Sequence, residues 1–247
     1  MINTVRNTVL SILNKNNYGY LSPSDFNLFA QQAQVEIFEN YFSEYNTATN
    51  KENARLSGTD FADLKQKVQE DIESFYVTKN LTQFIDNQFY LPSISTTGDE
   101  FIRIIKVLCY IAGVPRVFKG EAEKVNQRYI TMLVNSNITK PTAAFPSYVM
   151  SENKLTVYPE GTFNAPTSIE CQYIRYPKIP KWTYVSLFNG SPMFDQTQSD
   201  YQDFELPQED APKLITKILQ YAGVSIREAE VINFAQVEEQ KDKQQQA

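Results

Sequence analysis

The chain contains no histidine and only two cysteines, Cys109 and Cys171. The missing histidine removes the commonest acid–base catalyst, every Ser-His or Cys-His nucleophile pair, and the usual zinc and haem ligands. Glycine is scarce, with eight residues among 247. Neither G-x-x-x-x-G-K nor G-x-G-x-x-G occurs, so no phosphate-cradling loop of those kinds is encoded. Basic residues are in the minority: 23 Lys and Arg against 29 Asp and Glu leave a net charge of −6. A general nucleic-acid binder needs the opposite balance, because it neutralises phosphates with a basic surface. Long apolar runs are absent as well. The longest, residues 107–115, is too short to cross a bilayer. Residues 1–14 interleave apolar positions with Asn, Thr and Arg and lack the pattern of a secretory signal, so synthesis in the cytoplasm is expected. Both cysteines fall in apolar, strand-like runs and are expected to be buried reduced thiols. These absences together argue against an enzyme and against a resident cofactor or metal.

What is present suffices for a folded core, since 42% of the residues are hydrophobic and 21% charged. The pattern predicts an α+β protein with an N-terminal helical bundle over residues 1–76. A β-rich module with one helix and a long loop should follow over 77–208. A C-terminal helix over 209–237 should pack back on the bundle, and a disordered tail should occupy 238–247. Val5, Val9, Ile12 and Leu13 mark a first amphipathic helix. Ser22, Pro23 and Asp25 form a strong helix start. Behind it, Phe26, Phe29, Ala30, Ala33, Ile37, Phe38, Tyr41 and Phe42 recur at helical spacing to about Tyr45. So aromatic a face suits a large core surface or a neighbouring subunit. Residues 46–59 read as a polar loop, and residues 60–75 as a third helix.

All of the twelve prolines except Pro23 lie at or beyond Pro92, where the pattern turns β-like. Strands are expected within 81–91, 100–112, 147–150, 155–158 and 169–174, with a hairpin turn at Ser151, Glu152 and Asn153. A helix is expected over 121–134, with Val125, Tyr129, Met132 and Leu133 on one stripe. Residues 186–208 form a long loop carrying Phe188, Met193, Phe194, Tyr201 and Phe204, and loops of that length are commonly functional or interfacial. In the C-terminal helix one apolar stripe continues from Ala211 to Ala235. Charge is segregated: residues 92–140 are net positive and the remaining segments net negative, a pattern compatible with head-to-tail complementarity between copies.

Two segments invite a chemical reading. Asp195, Asp200, Asp203 and Glu205 could surround a hard cation, but they lack the alternation and glycine of an EF-hand loop, so a solvated acidic loop is the better expectation. Residues 173–182 interleave Tyr173, Tyr176 and Trp182 with Arg175, Lys178 and Lys181, as a single-strand stacking platform would. Their prolines argue instead for an extended connector with Trp182 packed on the core.

Three segments carry a family resemblance. The first is Asn17-Tyr18-Gly19-Tyr20-Leu21-Ser22-Pro23-Ser24-Asp25-Phe26-Asn27, continued by Ala33-Gln34-Val35-Glu36-Ile37-Phe38. The second runs through Pro146-Ser147-Tyr148-Val149, Tyr158-Pro159, Tyr173-Ile174-Arg175-Tyr176-Pro177 and Pro180-Lys181-Trp182. The third is Phe204-Glu205-Leu206-Pro207 with Leu214-Ile215, Ile218-Leu219, Ala222-Gly223 and Ile226-Arg227-Glu228. Together they resemble structural proteins of short-tailed bacteriophages, especially neck or tail ring proteins of crAss-like phages. The resemblance implies a head–tail connector of the virion neck or tail. Such proteins close into a ring, usually of twelve copies, below the portal protein and against neighbouring tail ring or hub proteins. Double-stranded DNA passes through the channel without sequence-specific binding. No membrane, cofactor or catalytic residue is implied. The resemblance further implies that residues 210–247 dock onto the portal. The interface is expected at Phe26, Phe29, Phe38, Tyr41 and Phe42, at Phe194 and Tyr201, and at Ala229, Ile232, Phe234 and Val237. The competing class is a tail-associated attachment module that does not form rings.

Overall fold

The computed structural model describes residues 1–15, 21–55, 64–111, 113, 115–166, 168–188 and 190–226. It is an α+β protein whose C-terminal helix packs on the N-terminal helices. The chain divides into two compact units, residues 1–72 with 177–247, and residues 73–176.

The first unit is mostly helical. Helix α1 (Ile2–Lys15) buries Ile2, Val5, Val9 and Leu13 along one stripe. Helix α2 (Pro23–Arg55) opens on the expected cap. Ser22 Oγ accepts from Asp25 N at 3.1 Å and donates to the Asp25 carboxylate at 2.6 Å. That arrangement satisfies donors a helix start leaves open. The helix continues to Arg55, so much of the loop expected over 46–59 is helical instead. Residues 46–55 are polar but hold neither Gly nor Pro, and polarity without a breaker does not stop a helix whose preceding turns are anchored. Helix α3 (Leu64–Glu73) buries Val68 and Ile72. Helix α5 (Ala211–Ile226) follows a 3-10 turn at Gln208–Asp210 and buries Leu214, Ile218, Leu219 and Ala222. Glu36 of α2 accepts from Lys217 Nζ at 2.7 Å and from the Tyr221 hydroxyl at 2.8 Å, which locks α2 to α5. Residues 227–247, including the distal half of the expected helix and the expected tail, lie outside the described residues.

Residues 177–208 belong with the helices, which corrects their grouping with the β-rich module. Gln34 of α2 is buried and binds two parts of this segment. Its Nε2 donates to the Lys178 carbonyl at 2.8 Å, and its Oε1 accepts from Glu205 N at 3.1 Å. Side-chain amides thus supply the hydrogen bonds that a loop cannot make to itself.

The second unit contains two sheets. In one, β1 (Tyr76–Asn80), β9 (Ile169–Arg175), β4 (Phe101–Ile111) and β5 (Val117–Glu121) pair antiparallel in that order. In the other, the order is β2 (Gln83–Ile85), β3 (Gln88–Tyr90), β8 (Lys154–Tyr158), β7 (Ser147–Ser151) and β6 (Glu123–Lys124), with only β6 and β7 parallel. Phe89, Val107, Leu155, Val157, Phe163 and Ile169 fill the core, together with both cysteines. The β7–β8 hairpin turns at Glu152, whose φ is 51°. Gly120 of β5 is needed for space, because a Cβ there would lie 2.5 Å from the Ala144 carbonyl oxygen.

Helix α4 (Gln127–Asn135) starts six residues later than expected, because residues 121–124 are taken by β5 and β6. Val125 falls outside the helix, and a different face turns inward. Ile130 becomes the buried position, while Tyr129 and Met132, expected on the inward stripe, face solvent.

Candidate interaction surfaces

The two thiols and the acids of the 195–205 loop are committed to structure. Cys109 and Cys171 are free buried thiols, and burial pushes the pKa of each up to about 12. The thiolate, the reactive form, is therefore scarce at neutral pH. Among the described residues no group of three or more Cys, Asp or Glu side chains is placed to hold a metal ion. The loop acids each have another role. Asp195 accepts from Thr197 N at 2.9 Å and from Thr197 Oγ1 at 2.7 Å. Asp200 pairs with Lys181 at 2.5 Å. Asp203 accepts from Ile2 N at 2.7 Å and Phe204 N at 2.8 Å, and Glu205 from Lys178 N at 2.7 Å. Burial works against ionisation of Asp203, but the N-terminal ammonium and these backbone donors outweigh it and hold its carboxyl below the usual range.

Trp182 is 2% exposed and centres an aromatic ladder. The Arg6 guanidinium lies 3.8 Å from its ring centroid, and its indole N–H donates to Asn3 Oδ1 at 3.1 Å. Tyr184 and Phe194 stack on it at 5.6 and 5.9 Å, and Tyr201 meets Phe194 edge-on at 5.8 Å. A ring held this way is closed to nucleobases and acts as packing. Phe194 and Tyr201, expected at an interface, are half-buried members of the ladder. The ladder supports a hairpin that extends into the loop expected over 186–208, β10 (Tyr184–Ser186) paired with β11 (Pro192–Phe194). The hairpin presents Val185, Leu187, Met193 and a fully exposed Phe188.

The aromatic face of α2 has two fates. Phe26, Phe38 and Tyr41 are sealed in the helical unit's own core and have no surface to offer a neighbour. Phe29 and Phe42 are half-buried, Phe29 stacking on Tyr221 at 6.2 Å. Beside that stack runs an open groove of about 450 Å³ lined by Gln31, Gln32, Val35, Glu36, Glu39 and Tyr221. The expected core positions of α2 therefore share the helix with a second apolar stripe that includes exposed Leu28.

Tyr41 also anchors a polar cluster. Its hydroxyl donates to the buried Asp210 carboxylate, which Lys213 approaches at 3.1 Å. Burial raises the Tyr41 pKa far above its usual value, and the hydrogen bond to Asp210 adds to this.

In the β-rich unit, apolar side chains reach solvent from ordered positions. Tyr129 and Met132 share the outer face of α4, and Ile138 and Phe145 stand on hydrogen-bonded turns beyond it. Sequence periodicity hid these four, because it places apolar residues inward and says nothing of which stripe finds no partner. Ala229, Ile232, Phe234 and Val237 lie outside the described residues. Among the described residues no helix is long and apolar enough to cross a membrane. No protein-family model matches the chain, and no curated protein matches it.

Proposed function

We propose that this chain is a structural protein of a short-tailed bacteriophage particle, closing with other copies of itself into a ring of the neck or tail between the portal and the tail. Twelve copies would extend the DNA channel and help hold the packaged genome until ejection. The observation that carries this reading is the exposure of large apolar side chains, Phe188 and Met132 foremost, on hydrogen-bonded elements of the fold. Contiguous apolar groups on a surface mark contacts with other chains, and Val185, Leu187, Phe188 and Met193 lie together on one hairpin. Asp195, Asp200, Asp203 and Glu205, by contrast, are spent on holding their loop in place, which suits a protein that binds rather than reacts. The resemblance of the three sequence segments supplies the rest.

The acidic balance fits a channel, because fixed negative charge repels the DNA backbone and limits sticking during passage. Contacts of the heterologous kind close into rings when the rotation between copies closes. Residues 210–247, with Ala229 to Val237 at their centre, dock on the portal in this reading. Neighbouring tail ring or hub proteins take the other side, and the reading needs no cofactor, catalysis or membrane.

Cryo-electron microscopy of phage particles, and of this protein mixed with its portal, tests the reading. A closed ring of this chain at the neck is expected. A peripheral location on the tail would overturn the ring and favour an attachment module, and absence from virions would overturn both.

A further inference from the structure

We infer that helix α4 of one copy docks into the α2–α5 groove of the next copy, head to tail, with Tyr129 and Met132 in the groove and Arg128 facing Glu39. The inference rests on the ring reading above and assigns it an interface.

The donor is a short helix made rigid at both ends. Asn126 Oδ1 accepts from Arg128 N at 3.0 Å, and Ser136 N donates to the Leu133 carbonyl at 3.2 Å. Ser136 Oγ then caps the following turn, accepting from Ile138 N and Thr139 N at 3.3 and 3.2 Å. Buried Ile130 fixes the helix to its unit, with Leu133 and Val134 partly covered on the same side. Its opposite side carries Arg128, Tyr129 and Met132, all exposed. An amphipathic helix whose second face is also apolar lacks a partner for that face. Pre-ordering lowers the entropic cost of finding one.

The acceptor is the groove of about 450 Å³ beside the Phe29–Tyr221 stack, with Val35 and Tyr221 as its apolar wall. Helix-in-groove docking uses apolar anchors three or four residues apart, and Tyr129 and Met132 have that spacing. Charge selects a second copy as the occupant. Glu36 is held by Lys217 and Tyr221, but Glu39 at the groove edge is exposed and has no ion pair among the described residues. Arg128 likewise has none among them. The helical unit carries the whole of the chain's net negative charge, whereas the chain's basic excess lies in residues 92–140, which include α4. Groove and helix are different surfaces, so their contact is heterologous and propagates from copy to copy.

The full-length chain is tested by charge exchange. Self-association is followed by sedimentation velocity over a concentration series, and incorporation by complementing phage that lack the protein. Arg128→Glu and Glu39→Arg should each weaken association by about tenfold or more, and the double exchange should restore most of it. Met132→Asp should abolish it while leaving the circular dichroism spectrum unchanged. A ring seen at the neck that none of these variants disturbs would overturn the interface and leave the ring reading standing. Failure of the unaltered chain to associate or enter particles would overturn both. A Glu39→Cys variant tests the competing occupant, residues 227–247 of the same chain. The native thiols are buried, so maleimide reports position 39 alone. Rapid labelling at monomeric dilution that slows on assembly is expected. Slow labelling in the monomer would mean that the chain covers its own groove, and would overturn the inference.

Discussion

Asn27 and Trp182 bond each other reciprocally. Trp182 N donates to Asn27 Oδ1 at 2.8 Å, and Asn27 Nδ2 donates to the Trp182 carbonyl at 3.1 Å. One side-chain amide on α2 thereby satisfies both backbone groups of a buried residue in a segment with no ladder at that point. Asn27→Ala should destabilise the helical unit by about 1–3 kcal/mol, the usual cost of leaving buried polar groups unpaired. Asn27→Asp should cost a similar amount, because it keeps the acceptor but sets a second oxygen against the Trp182 carbonyl. Urea unfolding of the two variants checks both values.

Trp182 is the only tryptophan and lies in the helical unit, while both cysteines lie in the β-rich unit. The two units therefore carry separate native probes. Tryptophan fluorescence should be blue-shifted in the native state and should report unfolding of the helical unit. Thiol labelling should report opening of the other. Transitions at different urea concentrations are expected if the units unfold separately, and coincident ones would show a single cooperative system.

Two acids should move stability with pH in opposite directions. Asp99 pairs with Lys79 at 2.5 Å and accepts from the Tyr173 hydroxyl at 3.2 Å. Burial pushes its pKa up, but these partners prevail and hold it below 3.8. Its contribution is present above pH 4 and is lost as pH falls through the depressed value. Asp99→Asn should lower stability at neutral pH, with the difference shrinking in acid. Glu44 has a raised pKa, first from burial and then from the neighbouring charges of Asp210 and Asp71, against the opposing pull of Lys213. Its protonated form is favoured by folding, so that contribution is present in acid and is lost as pH rises through the raised value. Glu44→Gln should raise stability at pH 7, with the gain fading below pH 4. Denaturant midpoints from pH 3 to 8 check both signs.

Phe188 is fully exposed at the tip of the β10–β11 hairpin and contributes little to the monomer's core. Phe188→Asp should leave stability within about 0.5 kcal/mol of the native protein, as exposed substitutions do. It should nevertheless reduce incorporation into particles. Thermal unfolding paired with a complementation assay separates the two effects.

Local signals were the legible ones. The Ser22–Asp25 cap, the α1 stripe, the Glu152 turn and the two buried thiols follow from residue type and spacing at short range. The helix expected over 121–134 shows the limit. Its apolar residues fit more than one phase, and only the strand pairing of residues 123–124 with β7 decided that α4 begins at Gln127 and turns Tyr129 and Met132 outward. The candidate surfaces were legible in part. Phe188 stood out in a long loop, but the α2–α5 groove exists only because α5 leaves one stripe of α2 uncovered.

The sequence by itself determined the α+β class, the start of α2, the main strands and the absence of histidine-based chemistry, because each depends on composition or on neighbours a few residues away. Tertiary structure alone decided that residues 177–208 join the helices, that Phe26, Phe38 and Tyr41 are sealed while Phe29 borders a groove, and that Asp195, Asp203 and Glu205 accept from backbone N–H groups. These outcomes depend on pairings such as Gln34 with Glu205 and Ile2 with Asp203. Residues so far apart in the chain meet through the free energy of the whole packed core, which no local pattern encodes.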